Sequence, residues 1–240
     1  MNKIAENLKK VQENIAAACA RCNRHPSEIT TVVVTKSANL DMIKQAVRLG
    51  CSELGENRVQ HLKLTADDLD IFLNQNSSDP ALPKNINWHM IGHLQRNKVR
   101  QLLRNCQTIH SVDTLRLAEE ISKSAEKLLI CPKILLQVNC SEEPQKYGVP
   151  VGAAIHLAEQ IATMPNIKLA GLMTMAPLTL NKDLVKTSFA RAHELFEEIQ
   201  GEKIAGADFN QLSMGMSQDY EIAISYGATI LRIGSAIFSG

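Results

Sequence analysis

The sequence contains no run of about 18 apolar residues, so no helical membrane span is expected. It carries almost no charge excess: 26 Lys and Arg face 25 Asp and Glu, a net charge of +1. That balance gives no chain-wide field to attract nucleic acid or an acidic membrane surface. No G-x-G-x-x-G follows the first apolar run, so the glycine signature of a dinucleotide-binding turn is missing. No internal repeat and no low-complexity tract stands out. The cysteines are scattered at 19, 22, 51, 106, 131 and 140. Cys19 and Cys22 form a C-x-x-C, but no second pair and no histidine at metal spacing joins them. Both read as small helix residues, and reduced thiols are expected. The opening "MNKIAENLKKVQENIAAACARC" mixes acids into its apolar pattern and reads as an amphipathic helix, not a signal peptide. A cytoplasmic protein is expected.

What is present is an ordinary core-forming composition: 240 residues, 45% hydrophobic and 21% charged. Strand-like and helical segments alternate throughout. "TTVVVTK", "CSELGE", "NINWHMIG", "QTIHSVD", "PKILLQVNC", "IKLAGLMTM", "FNQLSMG" and "TILRIGSAIF" read as strands, with helical spacing between them. "LDMIKQAVRLG", for example, is a helical segment closed by Gly50. Strands separated by helices imply a parallel sheet. The number of units fits a closed (β/α)8 TIM barrel, an α/β fold occupying 1–240 as a single domain, with an extra N-terminal helix. Residues 74–85, "NQNSSDPALPKN", are rich in turn formers and read as an excursion before the third strand.

In such barrels the C-terminal strand ends face the site. Those ends carry Lys36, Glu56 with Asn57, His93, Asp113, Asn139, Thr174, Ser213 with Gly215, and Arg232 with Gly234 and Ser235. "SMGMS" and "RIGSA" end the last two strands. Their glycines let backbone N–H groups approach an anion, Ser213 and Ser235 add hydroxyls, and helix N-termini follow. A phosphate cup is therefore expected there, although tight turns with serine caps would use the same residues. Lys36 ends an apolar strand opposite that cup. A lysine desolvated in a pocket has a lowered pKa and can form a Schiff base with an aldehyde, whereas a snorkelling lysine has no such role. A ligand carrying both phosphate and aldehyde satisfies both ends, and pyridoxal 5′-phosphate is such a ligand. Arg232 would then meet the pyridine nitrogen as a permanent donor, or act as an anion clamp.

"VVVTK", "LGENRVQ" (54–60), "WHMIGHLQRNK" (88–98), "IHSVD" (109–113), "QVN" (137–139), "GLMTM" (171–175), "LSMGMSQDYEIAI" (212–224) and "GATILRIGSAIFSG" (227–240) occur in order along nearly the whole chain. In combination they resemble the pyridoxal phosphate homeostasis proteins of the YggS/PROSC type. The resemblance implies a fold-type III barrel related to the N-terminal domain of alanine racemase, with pyridoxal 5′-phosphate as a Schiff base on Lys36. It places Asn57 beside the cofactor, Arg232 at the pyridine nitrogen, and Ser213, Met214, Gly215, Gly234 and Ser235 around the phosphate. The family often has a second lysine just after the first. Here Ser37, Ala38 and Asn39 stand there, which leaves Lys146 as the accessory candidate or as a solvated loop charge.

The resemblance implies a protein that holds, buffers or delivers the cofactor, with PLP-dependent apo-enzymes as recipients and no established catalysis. An amino-acid racemase is the alternative. It needs an acid/base on each face of the substrate. Alanine racemases use a tyrosine from a partner subunit and a second domain. The chain is expected to lack that domain, since "SAIFSG" follows the eighth strand, and Tyr147, Tyr220 and Tyr226 stand in no such context. His93 could act as a base or cap a helix. A Schiff-base aldolase fits a first-strand lysine poorly. A monomer is expected.

Overall fold

Alternate residues of each strand point to opposite sides, and this period decides which side chains reach the barrel axis. The computed structural model describes residues 3–239. Met1 and Asn2 of the expected first helix, and Gly240 at the end of the expected domain, lie outside the described residues. Eight parallel strands close on one another: β1 (Thr30–Val34), β2 (Glu53–Glu56), β3 (Asn87–Met90), β4 (Thr108–Val112), β5 (Lys133–Asn139), β7 (Lys168–Met173), β8 (Gln211–Met216) and β9 (Ile230–Ile233). β9 pairs with β1, as Thr30 opposite Ile230 and Val32 opposite Arg232, and this closes the ring. The (β/α)8 expectation holds. β6 (Val149–Pro150) is an addition, a short strand paired with the end of β5 outside the ring.

On β9, Ile230 and Arg232 face the axis while Leu231 and Ile233 pack under the helices. Val32, Leu135, Ala170, Met173 and Ile230 form the apolar part of the interior. The larger core lies between strands and helices, as the near-continuous apolar strands require. The helices are α2 (Leu40–Arg48), α3 (Val59–Gln75), α4 (Val99–Leu102), α5 (Leu115–Leu128), α6 (Val151–Ala162), α7 (Lys182–Gly201), α8 (Tyr220–Ser225) and α9 (Ser235–Phe238). Their starts follow sequence chemistry: the Asn39 and Thr114 side chains accept from the Met42 and Leu117 amides.

Three expectations about extent are corrected. Between the third and fourth strands, where "RNKVRQLLRN" has the helical spacing expected of every connection, there is a 3-10 turn at Arg96–Lys98 followed by the short α4, because the apolar positions are too few to bury a longer face. Asn74 and Gln75 belong to α3, so the excursion begins at residue 76. The last strand stops at Ile233, and "SAIF" is helical.

The extra helix α1 (Lys3–Arg21) buries Ile4, Leu8, Val11, Ile15 and Ala18 along one stripe. Its polar residues tie down the end of the chain. Asn7 Nδ2 donates to the Ile237 and Ser239 carbonyls, and Asn14 Nδ2 donates to the Tyr220 hydroxyl. Cys19 is buried in α1, Cys22 lies just beyond it, and all six cysteines are free thiols. We expect Ile15→Ala to cost about 2–5 kcal/mol through the cavity it leaves, read as a lower urea midpoint at unchanged slope.

Candidate functional site

The apolar run of β1 ends at Thr35, and a buried carboxylate fixes that end. Glu56 is 1% exposed, at the close of β2. Its Oε2 accepts from Thr35 Oγ1 at 3.0 Å and meets His61 Nδ1 at 2.6 Å, while its Oε1 accepts from the Asn57 amide at 2.7 Å. One carboxylate therefore sets both the turn that carries Lys36 and the backbone of Asn57. Gly92 packs against the same residue: a Cβ there would fall 2.4 Å from the Asn57 carbonyl oxygen. Lys36 itself is exposed on the turn after β1, and its amine has no hydrogen bond or ion pair among the described residues. The expected desolvation is therefore not supplied by the protein wall; the amine stands free at the rim of a cavity.

That cavity, of about 430 Å3, opens at the C-terminal mouth. Its wall includes Lys36, Asn57, Gln137, Ser217, Arg232, Gly234 and Ser235. The structure thus brings together five of the expected residues: Lys36, Asn57, Arg232, Gly234 and Ser235. Ser213, Met214 and Gly215 are not on the wall. All three lie within β8, as the strand reading of "FNQLSMG" already has them, and the strand's alternation rather than its end decides where they point. Ser213 faces the barrel axis and is fully buried, and Met214 packs in the outer core. The turn hydroxyl at the cavity belongs to Ser217. Its Oγ accepts from the Gly234 amide at 3.3 Å and the Ala236 amide at 3.1 Å. One hydroxyl of the turn after β8 therefore accepts from two amides of the turn after β9 and ties the two last turns together at the cavity. α8 and α9 are too short to add much macrodipole, so the two serine-bearing turns themselves are what an anion would meet here.

Arg232 is 4% exposed and projects inward from β9. Its Nη1 donates to Ser213 Oγ at 2.6 Å and its Nη2 donates to the Thr174 carbonyl at 2.8 Å. Burial lowers its pKa to about 10, against a favourable influence from Asp219, so it stays cationic near neutral pH. Thr174 is pinned in turn, with Oγ1 donating to the Val138 carbonyl at 2.9 Å.

His93 also lines the cavity and caps no helix. Its ring stacks on Tyr147 at 4.3 Å between centroids, and its Nδ1 lies 3.8 Å from Asp113 Oδ2. Burial raises the Asp113 carboxyl, partly offset by His93. Asn139 is occupied in its own loop, donating to the Glu143 carbonyl at 2.9 Å. Lys146 is not a freely solvated charge: its Nζ donates to the Ala176 carbonyl at 2.9 Å and pairs with Glu143, and it does not line the cavity. Glu56, His61 and Ser217 were absent from the expected binding set. A glutamate closing an apolar strand was the available signal for the first, and the second serine of "SMGMS" for the last.

Among the described residues, no Asp or Glu lines this cavity, while Lys36 and Arg232 both do. The wall is built for an anion. Val34, Ile91, Met175 and Leu178 supply apolar contact for a flat ring. The amine, the guanidinium and the serine-bearing turns at Ser217 and Ser235 match the aldehyde, ring nitrogen and phosphate of pyridoxal 5′-phosphate in kind, and the volume lies in the range of small-ligand pockets. A larger cavity of about 550 Å3 lies at the opposite, N-terminal mouth, where barrels of this architecture do not carry their chemistry. No helix of the described residues is long and apolar enough to cross a membrane, and no His, Cys, Asp and Glu grouping among them could hold a metal ion.

This fold and this mouth define a barrel of the alanine racemase N-terminal-domain type, and the family model of that description matches residues 7–240. The pyridoxal phosphate homeostasis protein of Aquifex aeolicus is 37% identical over 97% of this chain and 96% of its own. That of Escherichia coli (strain K12) is 35% identical over 99% and 97%. PipY of Synechococcus elongatus, solved with PLP bound, superposes with a TM-score of 0.77 at 31% identity, covering 94% of this chain and all of that one. The chain belongs to the pyridoxal phosphate homeostasis protein family.

Proposed function

We propose that this protein binds pyridoxal 5′-phosphate at the C-terminal mouth of its barrel and holds, buffers or delivers it. The observation that carries the proposal is a cavity walled by two cationic side chains, Lys36 and Arg232, with no carboxylate among its described lining residues. The PLP-bound state of PipY and the names of the curated relatives support it. When bound, the cofactor supplies an aldehyde electrophile and a conjugated pyridine ring. Lys36 would supply the free primary amine for that aldehyde, with water as the leaving group. Arg232 would face the ring nitrogen as a permanent donor. Asn57 would lie beside the ring. Ser217 with the turn at Gly234 and Ser235 holds the phosphate; Ser213, Met214 and Gly215 support this wall from within β8. The whole chain acts as one cofactor-binding unit, a monomer in the cytoplasm that engages PLP-dependent apo-enzymes and no nucleic acid.

Borohydride reduction of the yellow complex, followed by peptide mass mapping, tests this. The pyridoxyl adduct is expected on Lys36. An adduct on another side chain, or on none, overturns the assignment.

One observation favours a second reading, an amino-acid racemase. Tyr147 and His93 share the cavity with Lys36 and could supply the second acid/base. Yet the Tyr147 ring is stacked flat on His93 and 58% exposed, in a site that does not exclude water. We expect no α-proton exchange of alanine or serine in D2O above the free-cofactor background, followed by proton NMR. Rapid exchange would establish the racemase.

A further inference from the structure

Five inward-facing polar residues on five strands form one file through the barrel. Arg232 Nη1 donates to Ser213 Oγ at 2.6 Å. Ser213 Oγ meets His110 Nδ1 at 2.9 Å, His110 Nε2 meets His89 Nδ1 at 2.8 Å, and His89 Nε2 meets Glu53 Oε2 at 2.7 Å. The file starts at the cofactor cavity, where Arg232 lies, and ends at the N-terminal mouth, where His89 and Glu53 line the opposite cavity. His89 is 5% exposed, and His110 and Ser213 are fully buried.

The directions follow from which atoms can donate. A guanidinium only donates, so Ser213 Oγ accepts from Arg232. A carboxylate only accepts, so His89 Nε2 carries a hydrogen. With His89 neutral, its Nδ1 accepts from His110 Nε2. His110 Nδ1 then accepts the Ser213 hydroxyl hydrogen. In this arrangement each hydrogen bond of the file has one donor and one acceptor. Burial above all, and the Arg232 charge after it, push the His110 pKa well below its ordinary value, which agrees with a neutral ring. At the far end burial works against the Glu53 carboxylate, but hydrogen bonds from His89 and Asn87 outweigh it and hold it ionised. Apolar residues would fill this volume at lower desolvation cost, so stability alone does not account for the file.

We propose that Ser213, His110, His89 and Glu53 are positioning residues: they fix the orientation of the Arg232 guanidinium toward the cofactor and connect the N-terminal mouth of the barrel to the binding site. The proposal rests on the pyridoxal phosphate reading above. Ser213 has one hydroxyl hydrogen. While His110 accepts it, the serine lone pairs stay turned to Arg232; without that acceptor the hydroxyl can rotate and the guanidinium loses a fixed partner.

Titration of the purified protein with pyridoxal 5′-phosphate, reading the dissociation constant and the wavelength of the visible band, tests this. Ser213→Ala and His89→Phe are made alone and together with Arg232→Met, and thermal melts of the apo forms establish folding. Each single variant is expected to weaken binding about fivefold or more and to move the band, in line with coupled neighbours. His89→Gln keeps an acceptor for His110 and should stay within about twofold of wild type. In the Arg232→Met background the further loss should be under about twofold. Folded single variants with wild-type affinity and band overturn the proposal. So does an equal loss in both backgrounds, which would mean that Ser213 touches the ligand directly. If His89→Phe fails to fold, Ser213→Ala, which removes one oxygen, decides. A wild type that binds no pyridoxal phosphate overturns both readings; one that binds it while these variants bind equally well overturns this one alone.

Discussion

Lys36→Ala is expected to abolish the visible absorption band of the protein–cofactor complex and the borohydride-fixed adduct together. The reason is chemical. The band belongs to a carbon–nitrogen double bond conjugated with the ring, and only an unblocked primary amine at the cavity can form it. Lys36 meets that requirement: its Nζ is free of partners among the described residues and stands at the rim. Lys146 does not, being tied to the Ala176 carbonyl and to Glu143 off the cavity wall. Arg232 and the serine-bearing turns remain in the variant, so pyridoxal phosphate should still bind, about tenfold or more weakly, as a reversible ligand. Spectral titration and dialysis separate the two effects. Lys36→Arg keeps the positive charge but cannot condense, so it should restore part of the affinity and none of the band. A band that survives Lys36→Ala would place the linkage elsewhere.

Gly171→Ala is expected to cost the protein its fold. Gly171 lies in β7 directly opposite Gln211 of β8. A Cβ at this position would sit 1.7 Å from the Gln211 carbonyl oxygen, and that neighbour is backbone, so no rotamer can relieve it. In an open sheet the edge could splay. Here β7 and β8 are two staves of a closed ring, so widening one ladder strains the pairings on either side. The loss should exceed about 4 kcal/mol, at the severe end for a single substitution. Soluble yield and urea denaturation report it. Gly152→Ala is the control: it lies in α6 with nothing within 4 Å of the place its new methyl would take, and alanine there should add about 0.5–1 kcal/mol of stability. Equal behaviour of the two variants would refute the steric account.

Both experiments bear on how far the chain's chemistry can be read before it folds. The barrel was legible because short strand-like segments, several of them rich in Val, Ile and Leu, alternate with helical spacing along the whole chain, the pattern of a parallel sheet covered by helices. Lys36, Arg232 and Gly234 were legible because strand ends in this architecture converge on one mouth. Ser213 shows the limit. A serine before a glycine near a strand end looks like part of a phosphate turn, but the alternation within β8 turns Ser213 to the axis and Met214 to the outer core, and Ser217 is the serine on the cavity wall. Side-chain alternation, which a four-residue turn motif does not reveal, exchanges one serine for another at the cavity.

His89 and His110 make the same point. Each sits within an apolar strand, and alternation alone puts it on the inward face. What it does there depends on partners far away in the chain: His110 meets Ser213 at a separation of 103 residues, and His89 meets Glu53 at 36. The amino-acid order by itself determined the barrel, the direction of its strands, and the lysine and arginine at its mouth, because local periodicity and chain connectivity suffice for those. Only the tertiary structure decided which serine faces the cavity, that Glu56 fixes the lysine's turn, and that a file of hydrogen bonds links the two mouths. Those facts depend on register and ring closure, which bring residues distant in the chain into hydrogen-bonding range and leave no trace in local pattern.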